Sequence, residues 1–192
     1  FNGIPFFTDT ARNSMYTHDV SGTATSADGN TAYGFGALDA ITGGDLNTVV
    51  GHLAGSAINS GSNNVLMGYA TGDALTTGSD NVAIGYAALS VEDTGAKNVA
   101  IGKSALNALN FDGDGYNVAV GYNAGTAVTL GKENTLIGGQ AGDSLTTGEK
   151  NIAIGKAALS TEDTGSRNVA VGHGALQTLN YDGTSYNVAV GY

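Results

Sequence analysis

The densest carboxylates in the chain are Glu92–Asp93 and Glu162–Asp163. They lie in two nearly identical stretches, NVAIGYAALSVEDTGAK (81–97) and NIAIGKAALSTEDTGSR (151–167). A glycosidase needs two carboxyl groups facing each other across the scissile bond. Sequence neighbours do not face each other, and both pairs precede a Thr-Gly turn, so they are expected at a solvated corner. FDGDGYN (111–117) has the alternating carboxylates of a calcium loop but no closing Glu, and its second copy, YDGTSYN (181–187), carries Thr184 in place of Asp114. An outward two-residue bulge without metal is therefore expected. The bulges place Phe111, Asp112 and Tyr116, and again Tyr181, Asp182 and Tyr186, on elongated turns. A ring beside a carboxylate can stack on a sugar, and large rings also bury themselves against a neighbouring surface. Both readings stay open, and these six residues are the candidate binding set for a glycan or a protein receptor. The chain contains no nucleophile elbow, phosphate loop or zinc-ligand spacing, so neither an enzyme nor a bound cofactor is expected.

The elements that carry these residues follow from a repeat. Asn followed by three mostly apolar residues and Gly recurs at 30, 47, 64, 81, 98, 117, 134, 151, 168 and 187. The steps are 17, 17, 17, 17, 19, 17, 17, 17 and 19 residues, so a 70-residue unit overlies the shorter one. Fixed periods of this kind mark stacked structural repeats. Positions are written below as columns counted from each Asn. Column +1 is Thr, Val or Ile, column +4 is always Gly, column +7 is Ala except Thr71, and column +11 is mostly Leu, Ile or Val. Gly at several places per coil opposes a helix, whereas NVAIG reads as a short strand closed by a turn. The reading is all-β: a parallel β-roll or β-solenoid of 17-residue coils, with 19 at every fourth. Each coil should hold two extended runs and two turns, stacked about 4.8 Å apart. The Gly at column +4 implies positive φ or a close backbone approach, and the Gly at column +14 marks a second corner.

In such a stack Asn47, Asn64, Asn81, Asn98, Asn117, Asn134, Asn151 and Asn168 each meet their own copy above and below. Their amides can hydrogen-bond as a ladder along the axis. Column +5 mixes Phe35, His52, Tyr69, Tyr86, Lys103, Tyr122, Gly139, Lys156, His173 and Tyr192, which suggests an outer surface. His52 and His173 are seven coils apart and cannot share a metal within one chain. Charge pairs are expected between Asp80 and Lys97 and between Glu133 and Lys150, each one coil apart.

Strand side chains alternate faces, yet column +2 (Ala32, Val49, Leu66, Ala83 and so on) is as apolar as columns +1 and +3. Apolar residues on both faces mean burial on both. One face fills the coil, and the other needs a partner, with the small Ala column suited to a symmetry axis. Net charge is −10 with only 7 Lys and Arg among 192 residues, which opposes nucleic-acid binding and anionic membranes. No apolar run reaches the roughly 18–20 residues that span a bilayer. Zero Cys leaves the redox compartment open.

NVAIGYAAL, NVAIGKSAL, NVAVGYNAG and NIAIGKAAL resemble the β-roll repeat of trimeric autotransporter adhesin heads. With ALTTGSDN and SLTTGEKN, they are also similar to repeats of trimeric bacteriophage tail fibres. The resemblance spans 30–192. It implies a left-handed roll, a side-by-side homotrimer with two further copies of the chain, and extracellular attachment to a host surface. Coils of 17 and 19 residues exceed the adhesin coil, which favours the tail fibre of a virion. A bacterial surface adhesin head is the alternative reading, and an ice-binding solenoid is a third. For ice binding, the Thr ladder is broken, since Thr76, Thr77, Thr146 and Thr147 occupy only some coils.

Residues 1–29 do not fit the columns and are expected to form a cap or joint. IPFFTDT and SMYTHDV would pair as a hairpin packed through Phe6, Phe7 and Tyr16. The chain starts at Phe1 rather than Met, which suggests processing or a fragment. It stops just after a coil begins, so further repeats are expected beyond Tyr192.

Overall fold

The computed structural model describes residues 7–9, 14–16 and 26–192. One sheet of twelve strands runs through it in sequence order. β1 (Phe7–Asp9) and β2 (Ser14–Tyr16) pair antiparallel, with Phe7 opposite Tyr16. β2 then pairs in parallel with β3 (Thr31–Tyr33), which joins the hairpin to the solenoid. Tyr16 is buried, while Phe6 and the side chain of Phe7 lie outside the described residues. β4 (Thr48–Val50), β5 (Val65–Met67), β6 (Val82–Ile84), β7 (Val99–Ile101), β8 (Val118–Val120), β9 (Thr135–Ile137), β10 (Ile152–Ile154), β11 (Val169–Val171) and β12 (Val188–Val190) follow, one per coil. All pair in parallel with like columns opposite, as in Ala83 with Ala100.

Each coil therefore has one strand, not the two extended runs its apolar pattern predicts. The remainder is a chain of tight turns, and the reason lies in the backbone. Every complete coil has left-handed residues at columns +4, +6 and +8 and at its last position, which is column +16 in the 17-residue coils and column +18 (Tyr116 and Tyr186) in the long ones. Column +4 is Gly, with φ between 131° and 143°. A Cβ on Gly138 would stand 2.5 Å from the carbonyl oxygen of Gly155, so both reasons for glycine apply there. The other columns hold residues such as Leu53, Leu89, Ser104, Asn123, Lys97 and Glu133 at φ between 53° and 62°. A left-handed L-residue costs about 1–2 kcal/mol and persists where surrounding bonds fix it. Those bonds run between coils. Column +6 donates to the coil below (Leu53 N to Phe35 O, 2.9 Å), column +8 to the coil above (Leu89 N to Ala105 O, 3.0 Å), and column +16 to the coil below (Lys97 N to Ser79 O, 3.1 Å). The peptide groups thus point along the axis around much of the circumference, and the stack satisfies its polar backbone without a second sheet.

Columns +2, +7, +8 and +11 fill the interior. Columns +2 and +8 trade volume. Ala83 accompanies Leu89, Ala100 accompanies Leu106 and Ala153 accompanies Leu159, whereas Leu66 accompanies Gly72 and Leu136 accompanies Gly142. A Cβ on Gly142 would lie 2.8 Å from Leu136 Cδ2. In these coils one large side chain fills the space between the walls, as close packing requires. In the coil from Asn117, where Ala119 accompanies Gly125, Leu106 and Leu136 of the neighbouring coils reach in.

The Asn column is interior as far as Asn168. Asn30 through Asn168 are at most 1% exposed. In most coils Oδ1 accepts two bonds from the next Asn, as Asn47 Oδ1 does from Asn64 N and Nδ2, both 3.0 Å. The same Nδ2 also reaches across its own coil to the column +14 carbonyl, Gly78 O at 2.9 Å. The ladder thus ties coil to coil and braces each coil internally.

Candidate functional site

The two 19-residue coils begin at Asn98 and Asn168, and each rests on a coil with Glu where others carry an aliphatic side chain. Glu92 and Glu162 occupy column +11, point into the core and are fully buried. This corrects the solvated corner expected from their sequence neighbourhood. In a 17-residue coil the corner N–H groups converge on one carbonyl of the coil above: Thr42, Gly43 and Gly44 all donate to Asn59 O, at 2.8–3.2 Å. Beneath a long coil the carboxylate takes that place. Glu92 Oε1 accepts from Gly95 N (2.7 Å) and Asp93 N (3.1 Å), and Oε2 accepts from Phe111 N (3.1 Å) in the bulge. Glu162 repeats this with Gly165 N (2.7 Å) and Tyr181 N (3.2 Å). Burial raises the pKa of Glu92 above the ordinary 4.5, against the opposing pull of these donors.

The bulge residues brace the same corner. Asp112 Oδ1 accepts from Thr94 Oγ1 (2.6 Å), and Asp182 Oδ1 from Thr164 Oγ1 (3.0 Å). Phe111 packs half-buried against the core with Lys132 Nζ 5.4 Å from its ring centre. Tyr116 donates to Asp114 Oδ2 (3.0 Å), and Lys97 Nζ reaches both Asp114 (2.6 Å) and the Tyr116 hydroxyl (3.3 Å). That corrects the expected Asp80–Lys97 pair: Lys97 turns to the coil above. Glu133 and Lys150 do pair, at 3.8 Å. In the second bulge Arg167 lies over the Tyr186 ring (5.7 Å) and donates to Thr184 Oγ1 (3.4 Å), while the Tyr181 and Tyr186 edges stand in solvent. Phe111 and Tyr116 serve different cations, so the bulge does not form one aromatic platform. Among the described residues no three His, Cys, Asp or Glu side chains cluster closely enough to hold a metal.

No family model, curated protein or solved structure matches this chain.

The remaining surface is divided by column. Column +2, expected at a symmetry axis, is instead the coil's own interior: Ala83, Ala100, Ala119 and Ala153 have no exposed area. The outward strand face belongs to columns +1 and +3. Its twenty positions hold Val, Ile, Thr, Met and one Tyr, and none is charged. Val65, Ile137, Ile152 and Ile154 are 37–38% exposed and Met67 47%. No described residue covers this face. Column +5 runs along its edge as a stack of rings. Phe35–His52, His52–Tyr69 and Tyr69–Tyr86 have centroids 5.4–5.7 Å apart and planes within 21°. Lys103 takes the next rung, 5.6 Å from the Tyr86 ring and 5.8 Å from that of Tyr122. His173 and Tyr192 stack at 5.2 Å. The stack was hidden in sequence because Phe, His, Tyr and Lys share no single type; the signal was their common column. Thr76 and Thr146 turn their hydroxyls to the carbonyls of Asp93 (3.1 Å) and Asp163 (2.9 Å), so these hydroxyls are engaged by backbone rather than offered to a ligand.

Proposed function

We propose that this chain is a non-catalytic segment of a trimeric fibre. In this reading it is a left-handed β-roll of the bacteriophage tail-fibre kind, part of an extracellular virion appendage that attaches to a host cell. The observation that carries the reading is the outward strand face: ten strands long, apolar and free of charge. A sheet face of this length without polar alternation belongs against another surface. Identical chains set side by side in register supply such a surface along the whole rod, and the resemblance of the NVAIG repeats supplies the number three. The mechanism is mechanical: a stiff rod holds an attachment part at a distance. Contact with a host glycan or protein receptor would fall to the exposed edges of the bulges, at Tyr181 and Tyr186. No cofactor, nucleic acid or membrane insertion enters this reading.

Light scattering of the purified chain in native buffer tests it. The expected species has three times the 19.1 kDa mass of one chain. Ile84→Asp and Ile154→Asp, on the outward face, should lower that mass. A folded species of one-chain mass would remove the basis for the fibre assignment.

A further inference from the structure

The ring stack of column +5 has one missing rung. From Phe35 to Tyr122 each coil contributes a ring or the Lys103 ammonium, and each inner ring has a neighbour on both faces. Lys103 lies over one face of Tyr122. The coil beyond its other face carries Gly139, and the coil after that Lys156.

Nothing in the backbone demands glycine there. Gly138, one residue earlier, is left-handed at φ 134°, but Gly139 is not among the left-handed residues. A Cβ on Gly139 would meet only Tyr122 O, at 4.0 Å. A side chain would fit, and the column omits one. The rungs on either side are two coils apart, about 9.6 Å at the usual strand spacing. That opening holds one ring between Tyr122 and Lys156.

The groups around the opening are unlike those elsewhere on this edge. Column +6, beside the rings, reads Gly36, Leu53, Ala70, Ala87 and Ser104 below, and Ala157 and Gly174 above. Its only amides are Asn123 and Gln140, next to Tyr122 and Gly139. Both are left-handed (φ 55° and 60°), and their N–H groups are fixed on Lys103 O (3.0 Å) and Tyr122 O (2.8 Å). Gln140 also hydrogen-bonds Asp143. Lys156 is exposed and, among the described residues, pairs with no carboxylate and no ring; in this chain of net charge −10 that is unusual.

An aromatic face takes the C–H face of a pyranose, amides bond its hydroxyls, and an ammonium pairs with a carboxylate. We propose that the gap at Gly139 is a subsite for one acidic pyranose, a hexuronic acid residue of an anionic polysaccharide. Its ring is sandwiched between Tyr122 and Lys156, and its hydroxyls face Asn123 and Gln140. The site lies apart from the bulges.

Saturation-transfer NMR on the full chain tests this with methyl galacturonide and methyl galactoside, which differ in the carboxylate. Transfer to the galacturonide is expected with the wild-type chain and is lost in Gly139→Tyr. The added ring completes the stack, so thermal unfolding should be unchanged or raised, which separates lost binding from lost folding. In Lys156→Ala the galacturonide signal should fall to that of the galactoside. No transfer to galacturonide in the wild-type chain, or transfer that survives Gly139→Tyr, overturns the site. Equal transfer to both sugars that Lys156→Ala leaves intact overturns the acidic class.

Discussion

In the coil beginning at Asn64, Thr76, Thr77 and Gly78 all donate to Asp93 O of the coil above, at 2.7–3.4 Å. In the next coil, beneath a 19-residue one, Asp93 and Gly95 donate to Glu92 Oε1 instead. The Asn ladder changes at the same place. Asn64 Nδ2 crosses its coil to Gly78 O, but Asn98 Nδ2 turns to its neighbour Ala96 O (3.1 Å). Two extra residues therefore do more than loop outward. They remove a backbone acceptor and a cross-brace from the interior, and a buried carboxylate replaces the acceptor. An insertion in a solenoid is tolerated when the coil beneath it supplies what the shifted backbone no longer offers.

The largest expected effect comes from returning Glu92 to the aliphatic type of its column. Glu92→Leu strands three N–H donors at about 1–3 kcal/mol each, offset in part by the buried leucine, for a net loss of roughly 2–6 kcal/mol in chemical denaturation. Removing Asp112 and Gly113 from the same variant restores a 17-residue coil and should recover much of that loss. If Glu92→Leu alone unfolds like the wild-type chain, the contrast between the two corners disappears.

A smaller difference separates the two kinds of rung. Asn47→Ala and Asn98→Ala each remove four side-chain hydrogen bonds, but one at Asn47 spans the coil to Gly61 O where the one at Asn98 reaches only Ala96 O. Asn47→Ala should therefore cost more, by up to about 1 kcal/mol, the usual net worth of one hydrogen bond. Equal losses would show that the brace carries no weight.

Stability should depend on pH with opposite signs in different places. Burial raises the pKa of Glu92 above 4.5 and those of Asp73 and Asp143 above 3.8. Folding favours the protonated form of each. Their contribution therefore grows as pH falls from neutrality through the raised values, and levels off below the ordinary ones. Asp114 runs the other way, since its bonds to Lys97 and Tyr116 hold it below 3.8. Its contribution is present at neutrality and is lost as pH falls through the lowered value. Thermal unfolding should shift upward on mild acidification and downward in stronger acid. Asp73→Asn with Asp143→Asn should remove the part of the rise that belongs to regular coils and leave the part due to Glu92.

The smallest effect separates the two bulges from each other. Asp114→Thr gives the first bulge the residue of the second and should barely move the unfolding midpoint, because an exposed ion pair contributes little. It should, however, remove the salt sensitivity of the first bulge. A large shift would mean that the Asp114–Lys97–Tyr116 group is structural in a way the second bulge is not.

Much of this was open to inspection in the sequence. The period, the strand after each Asn, the glycine at column +4 and the buried Asn file all repeat strictly enough to read. The left-handed corners were not legible, because Leu89, Lys97 and Glu133 have no preference for that conformation; inter-coil bonds impose it. Glu92 and Glu162 were misplaced because adjacent acidic residues look like surface. The available clue was their column, aliphatic in every other complete coil, and their place one coil before each 19-residue step. The side chains that face inward were also misassigned. Alternation shows that columns +1 and +3 oppose column +2, but not which side is the interior.

What the sequence determined alone is the rhythm: where each coil begins, which residue starts its strand and where the long coils fall. These follow from local chemistry repeated at a fixed interval. Only the tertiary structure decided which face of the strand is core, which acceptor each corner N–H finds, and that a glutamate replaces a carbonyl. Those outcomes depend on what stands one coil above and one coil below, and a side chain's surroundings there are set by stacking rather than by its neighbours along the chain.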